Sequence, residues 1–409
     1  MVIGKDTRLS SYTLEYALAA GITASGGDAY IMHVTTTPSV SFVTRCDGFD
    51  CGVMISASHN PYSDNGIKLV NGRGEKLERG VLGLIERYLD GARDFCSGGD
   101  LPLASGERVG RTVDYIAGRN RYTGHLIALS ASSFKGMRIG LDCANGAGYK
   151  IAPSVFEALG ATLFPVGCSP DGLNVNDGCG ATDVAALREA VRANGLDVGF
   201  AFDGDADRCI CVDERGEIID GDGILYAAAT ALKSRGELLG NRIVATVMSN
   251  GGLVSCLAER GVEVLSCPVG DSEVYAKMGE SGAVLGGEQS GHIIFGKLES
   301  TGDGIVTALR LAEEMVERDM RASELVRGFS KLPQRLKNVR VRDKNSALGD
   351  EGVKAAVRRA EGVLKGGRLV VRASGTENVI RILAEGETES ACEEATETVG
   401  RALIKFNGE

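Results

Sequence analysis

The 409-residue sequence predicts an α/β protein: three similar mixed α/β units followed by a smaller C-terminal α+β domain. Two observations carry that reading. Apolar, β-prone runs alternate with helix-patterned segments across short connections, and the alternation restarts twice before a different pattern begins near residue 336. Strand–helix–strand segments of this kind build parallel sheets covered by helices. The length agrees, because single cores stop growing beyond roughly 250–300 residues.

In the first unit, Leu14, Ala17, Leu18, Gly21 and Ile22 follow the spacing of one helical face. Ala29 to Val34 (AYIMHV) reads as a strand, Pro38 opens a helix, and Gly52 to Ile55 gives the next strand. The second unit starts at MRIGLDCANGAG (137–148), a strand running into a Gly-rich turn. A helix-like IAPSVFEALG, the run ATLFPVG and the buried strand LDVGFAF (196–202) follow. The third begins at NRIVATVMSNGG (241–252) and continues through VEVLSCPVG to AVLGGEQSGH. The tail has VRVRDK, a helix-like VKAAVRRAEGVL and two strands around a polar turn in RLVVRASGTENVIRILAEG. A last helix carries acidic residues early and Arg401 and Lys405 late, as the helix dipole prefers. These breaks suggest domains at 1–130, 131–237, 238–335 and 336–409.

Composition narrows the function. Forty-five basic against fifty-five acidic residues leave a net charge of −10, which argues against nucleic acid or an anionic membrane as partner. An anionic small substrate then needs positive groups concentrated at its site. No apolar run approaches the roughly 18–20 residues of a membrane span, and MVIGKDTRLS has no signal-peptide pattern. The eleven cysteines are scattered from Cys46 to Cys392 without CxxC spacing, which suits free thiols in a reducing cytoplasm.

Four polar loops could carry chemistry. In CGVMISASHNPYSDNGIK (51–68) a strand breaks into small and polar residues around Ser58. Ser58 and His59 resemble a hydrolase dyad, but neighbours on an extended chain point to opposite faces and no GxSxG elbow is present. A metal-assisted phosphoryl nucleophile fits better, with Lys68 or Arg8 as counter-charge. In FDGDADR (202–208) Asp203, Asp205 and Asp207 would only repel one another on a flat strand; a curled turn converges them on a hard divalent cation. A solvated acidic turn is the plain alternative. An EF-hand is excluded, since Arg208 stands at its glycine position and the flanks are β-like. GGEQSGH (286–292) offers mixed donors and acceptors suited to sugar hydroxyls, or a simple polar hairpin turn. RASGTENVIR (372–381) offers backbone N–H groups, hydroxyls, Arg372 and Arg381 as a phosphate cradle, or an ordinary turn with surface arginines. His33 and His125 have no such company.

Taken together and in this order, SASHNP, DGDADR, GEQSGH and RASGTEN resemble the α-D-phosphohexomutase superfamily. DGLNVNDGCGATD (171–183), MSNGGL, VGD (269–271), GGEQSGHIIF and TGDGI (301–305) resemble its branch acting on glucosamine phosphates. The resemblance covers nearly the whole chain and implies four domains around a central cleft, each giving one loop. It implies that Ser58 is a phosphoserine passing its phosphoryl group to a hexose phosphate through a sugar bisphosphate. Asp203, Asp205 and Asp207, with an oxygen on Ser58, would hold Mg²⁺. Arg208, His59 and Lys68 would line the transfer site, with Lys68 and His292 moving protons. Glu288 and Ser290 would grip sugar hydroxyls, and Arg372, Ser374, Gly375 and Thr376 the second phosphate.

The expected reaction is glucosamine 6-phosphate to glucosamine 1-phosphate, with glucose and mannose phosphates as rival substrates and an impaired sugar-phosphate-binding homologue as the rival class. The expected partner is a hexose or hexosamine phosphate, with a homodimer allowed. Three features depart from the family pattern. Its members carry a segment resembling YFGTDGIRG ahead of GKDTR, supplying a first strand and an arginine; here the sequence opens at MVIGKDTR. Ser272 stands where that branch carries Arg, and Ala373 and Asn378 stand at its usual prolines.

Overall fold

The structure is a computed structural model and describes residues 1–94, 99–365, 367–374 and 378–407. By packing, the chain separates into two compact units, Met1–Thr246 with Leu265–Arg327 and Val247–Val264 with Gly328–Glu409.

The opening residues, left unassigned by the sequence reading, form the middle of the first sheet. β1 (Val2–Lys5) lies between β2 (Ala29–Val34) and β3 (Cys51–Ile55) and is parallel to both. β4 (Ile67–Asn71) and β5 (Thr112–Asp114) complete the order β4-β3-β1-β2-β5. Helices α1 (Leu9–Ala24), α2 (Thr37–Cys46), α3 (Arg79–Leu89) and α4 (Ile116–Leu129) connect these strands. One apolar cluster joins Ile3, Ala29, Ile31, Val53 and Ile55 of the sheet to Ala19, with Leu14, Leu18 and Ile22 of α1 packed against it. The predicted face of α1 is therefore only partly right: Ala17 and Gly21 are exposed, and Glu15 takes an inner position. That carboxylate is tolerated because the buried Lys5 ammonium pairs with it. α2 lies close on the other side, where a Cβ at Gly52 would come within 2.2 Å of Thr44 Oγ1.

The second sheet has the order β10-β9-β8-β6-β7, from β6 (Arg138–Asp142), β7 (Thr162–Val166), β8 (Val198–Phe202), β9 (Cys209–Asp213) and β10 (Ile218–Ile219). Helices α5 (Ile151–Ala158) and α6 (Ala185–Asn194) belong to it, and Leu187 and Val191 of α6 pack with Leu196, Ala201 and Val212. After α7 (Gly221–Ser234) come β11 (Arg242–Thr246), α8 (Gly251–Ala258), β12 (Glu263–Cys267), α9 (Asp271–Ser281), β13 (Leu285–Gly287) and β14 (Ile293–Phe295). Their sheet runs β12-β11-β13-β14, and α10 (Gly304–Arg318) and α11 (Ala322–Leu325) follow.

The second unit holds β15 (Gln334–Arg340), α12 (Lys344–Gly349), α13 (Glu351–Val363), β16 (Arg368–Ala373), β17 (Val379–Glu385) and α14 (Glu389–Phe406). Its antiparallel sheet, β15-β17-β16, shares a core with α13 and α14 through Val353, Ala360, Ile380, Ile382, Val399 and Leu403. Asp350 caps α13, its side chain accepting from Val353 N at 2.9 Å.

The first three sheets are mixed and the fourth is antiparallel, and an antiparallel pair flanks each of the four polar loops. Ile55 pairs with Ile67, Phe202 with Cys209, Gly287 with Ile293, and Ala373 with Ile380. Each of the first three loops is thus the tip of a hairpin whose stem register fixes its position. The strand–helix–strand links do give parallel pairs, β1 with β2 and β3 and β6 with β7 and β8.

Candidate active site

The Ser58 loop is not extended, which corrects the geometric reason for rejecting a Ser58–His59 dyad. Ser58 itself has φ 51°, a conformation non-glycine residues rarely adopt without support. That support comes through its carbonyl. Arg8 Nη2 donates to Ser58 O at 3.3 Å and Asn60 O at 2.5 Å, and Asn176 Nδ2 donates to the same two oxygens at 2.9 and 3.0 Å. Arg8 is fully buried and paired with Asp6, so it braces the loop instead of facing substrate as a counter-charge.

Ser58 Oγ then points at the second loop and donates to Asp203 Oδ2 at 2.6 Å. Asp203, Asp205 and Asp207 are all buried, with one carboxylate oxygen of each within 4.8 Å of the others. The approach is possible because Gly204 lies directly beneath Ser58 O, where a Cβ would come within 2.5 Å. Lys68, on the returning strand β4, reaches across to Asp205 Oδ2 at 2.5 Å and Asp207 Oδ2 at 3.3 Å. Thr37, opening α2, also bonds Asp205, by its hydroxyl and by its N–H to the carbonyl at 3.0 Å.

Charge crowding shifts the acids apart. Burial, then Asp207 and Asp205, push Asp203 up to about 7. Asp207 is held well below the usual range: burial opposes this, but Lys68 and His292 outweigh it. Lys68 is raised against its burial by Asp205 and Asp207, and stays an ammonium. Arg208, with Nε 3.9 Å from both Asp203 and Asp207, is raised in the same way. Partial burial and then the Arg208 guanidinium lower His59 to about 4, so this ring at the mouth of the site is neutral near pH 7.

The donor set fits a hard divalent cation. It consists of carboxylate oxygens, and Asp205 Oδ1 and Asp207 Oδ1 are buried without a hydrogen-bond partner. Such oxygens are costly unless a cation takes them.

The third loop closes over the second. Cys209 N donates to Gly291 O at 3.0 Å, and His292 places Nδ1 3.6 Å from Asp207 Oδ1. His292 Nε2 accepts from Gly302 N at 3.0 Å, so the neutral ring carries its proton on Nδ1, facing Asp207. Burial lowers the pKa of His292, but Asp207 and Asp271 more than reverse it. Glu288 is half-buried and accepts from Gly270 N at 3.2 Å, and Ser290 is exposed at the tip.

Sequence reasoning did not find the strap that holds this side together. Asp303 Oδ2 accepts from the buried Tyr122 hydroxyl at 2.5 Å, Oδ1 caps α10, and Gly304 N bonds Ala206 O at 3.0 Å. TGDG was visible as a motif, but nothing local revealed its distant partners. A cavity of about 300 Å³ opens beside the centre, lined among others by Lys68, His292, Ser272, Lys76 and Tyr275. Near Ser272, Lys76 pairs with Asp271 at 2.6 Å, keeping a cation in that wall.

In the second unit, Arg372 and Arg381 stand directly opposite one another across β16 and β17. Ser374 is buried beside them, its N–H bonded to Val379 O at 2.8 Å. Gly375 and Thr376 lie outside the described residues.

Models of the phosphoglucomutase/phosphomannomutase family match in chain order. α/β/α domain I matches residues 1–94, domain II 120–216, domain III 220–332, and the C-terminal domain 336–400. A phosphoglucosamine mutase of Lachnospira eligens is 53% identical over 400 residues, covering 98% of this chain and 88% of its own length. The chain belongs to the α-D-phosphohexomutases. Within them it falls in the phosphoglucosamine mutase branch, where the Lachnoclostridium phytofermentans member is 50% identical over 98% of this chain and 88% of its own. Among solved structures, a Burkholderia thailandensis protein of the phosphoglucomutase/phosphomannomutase family superimposes with a TM-score of 0.79 at 27% identity, covering 99% of this chain and 88% of that one. Aspergillus fumigatus N-acetylphosphoglucosamine mutase, in complex with GlcNAc-6P and magnesium, shares the fold with a TM-score of 0.72 at 19% identity, covering 96% and 94%. Among the described residues no helix is long and apolar enough to cross a membrane.

Proposed function

We propose that this phosphohexomutase interconverts glucosamine 6-phosphate and glucosamine 1-phosphate through a phosphoserine at Ser58 and a sugar 1,6-bisphosphate, in the cytoplasm. The observation that carries the reading is Ser58 Oγ at 2.6 Å from Asp203 inside a buried cluster of three aspartates. The curated relatives named phosphoglucosamine mutase support the choice of sugar.

In this reading Asp203, Asp205, Asp207 and an oxygen on Ser58 hold Mg²⁺, which when bound would neutralise charge on the transferring phosphoryl group. Lys68, kept protonated by Asp205 and Asp207, gives charge to the phosphoryl oxygens and a proton to the departing sugar oxygen. Arg208 and His59 line the path, and His292, facing Asp207, moves protons for the sugar oxygens. Glu288 and Ser290 take sugar hydroxyls, and Arg372, Ser374, Gly375, Thr376 and Arg381 take the phosphate that is not transferred. The domains are read as 1–130, 131–237, 238–335 and 336–409.

Two measurements test this. The tryptic peptide containing Ser58 should carry a phosphoryl group, and a Ser58→Ala chain that still isomerises sugar phosphates would refute the mechanism. Competition among glucosamine, glucose and mannose 6-phosphates in one assay should favour glucosamine; preference for either hexose would move the chain to the rival substrate.

A further inference from the structure

The three-aspartate loop depends on one unusual turn. Ala206, between Asp205 and Asp207, has φ 56°, a conformation that non-glycine residues seldom adopt without support. Its N–H closes the turn from inside, donating to Asp203 O at 3.0 Å. From outside, two helices hold the backbone. Thr37 N, at the start of α2, donates to Asp205 O at 3.0 Å, and Gly304 N, at the start of α10, donates to Ala206 O at 3.0 Å. Two successive carbonyls are thus each taken by the first N–H of a different helix.

Tyr122, on α4, touches both helices. Its ring packs against Phe42 of α2 with centroids 5.8 Å apart, and its hydroxyl donates to Asp303 Oδ2 at 2.5 Å. The other carboxylate oxygen accepts from Ile305 N at 2.9 Å and Val306 N at 3.0 Å, so the Asp303 side chain fixes where α10 begins. That position has no slack. A Cβ on Gly304 would come within 2.2 Å of Arg208 O and 3.0 Å of the Phe202 ring. Tyr122 and Asp303 are both buried, which leaves the carboxylate oxygen no solvent to turn to if the hydroxyl is removed.

We propose that Tyr122 is a positioning residue for the phosphoryl-transfer centre: by holding Asp303 it keeps Gly304 on Ala206, and so sets the spacing of Asp205 and Asp207. The inference rests on the reading that the three aspartates hold a divalent cation. Tyr122 touches neither cation nor substrate. Its influence reaches the cation because Mg²⁺ demands near-octahedral oxygens at roughly 2.0–2.1 Å, a geometry with little tolerance. Glu288 and Ser290, assigned to the sugar, belong to a separate loop and do not depend on this turn.

The test uses the full chain with Tyr122→Phe, which removes the hydroxyl and leaves the ring against Phe42. Mn²⁺ binding to metal-free protein, counted by electron paramagnetic resonance, should weaken about tenfold, the low end for a change behind the ligands. The Mg²⁺ concentration for half-maximal turnover should rise and kcat fall about tenfold, with the sugar-phosphate KM within about twofold of the parent's. Tyr226→Phe is the matched control, because that tyrosine is also buried and its hydroxyl bonds Arg327 O at 3.1 Å instead. It should lower the thermal midpoint and leave Mn²⁺ affinity unchanged. If Tyr122→Phe does only the same, the tyrosine is a structural residue and the proposal is overturned. Asp303→Asn keeps an oxygen to cap α10 and loses the acceptor for the hydroxyl. It should reproduce the loss of Mn²⁺ affinity, and adding Tyr122→Phe to it should change nothing further. Losses that add would overturn the route through Asp303. Mn²⁺ titration needs no sugar. A parent chain without turnover would therefore refute the mutase reading, while the Mn²⁺ affinities alone would still decide the role of Tyr122.

Discussion

Replacing Gly204 by alanine tests whether Ser58 and the three-aspartate loop are held in one fixed relation. The new Cβ would lie 2.5 Å from Ser58 O, 3.0 Å from Val175 Cγ2 and 3.1 Å from Asn176 Nδ2. Ordinary contact begins near 3.4 Å, so the two loops must separate by about 0.9 Å. Neither yields easily, since Ser58 O is tied to Asn176 and Arg8, and Gly204 O to Ala147. A misplacement of about 1 Å at reacting groups costs roughly 100-fold, or about 2.7 kcal/mol of barrier. Crowding a packed site also costs about 1–3 kcal/mol of stability. The assay is glucosamine 1-phosphate formation, read beside thermal unfolding. Gly362→Ala is the control, because a Cβ there meets nothing within 4 Å. Gly204→Ala should fold and lose turnover on this scale while the control keeps it. Turnover equal to the parent chain's would show that the loop spacing does not govern the chemistry.

Two further outcomes follow from the charges. Lys68→Met removes the ammonium shared by Asp205 and Asp207; kcat should drop about 10²–10³-fold, and unchanged kcat would remove Lys68 from the transfer site. Burial, then Glu299, push Asp303 up to about 7, against about 3.9 in an unfolded chain. Between about pH 4 and pH 7 the folded state therefore binds a proton that the unfolded chain has released, and stability falls as pH rises through that window. The thermal midpoint of metal-free protein should decline from about pH 5 to pH 7, and Asp303→Asn should flatten part of the decline; identical slopes would acquit Asp303.

Much of the site was readable because each loop carries its own donors in a few consecutive residues. Ser58, the DGDADR carboxylates and His292 meet where their motifs suggested. What escaped was whatever depended on distant partners. VIGK is too short to announce itself as a central strand, and it becomes one only through pairing with β2 and β3. Arg8 looked like a counter-charge because sequence shows its charge and not the two carbonyls it bonds. Tyr122 and Asp303 lie 181 residues apart and signal nothing separately. The tail stem was legible as two strands around a polar turn; at the other loops short connections limit the geometry without choosing the direction of return.

The bracing of Ser58 through its carbonyl separates the shape of the loop from the state of its side chain. Arg8 and Asn176 grip main-chain oxygens that stay the same whether Oγ is a free alcohol or an ester. A loop held this way need not refold between the two halves of a catalytic cycle.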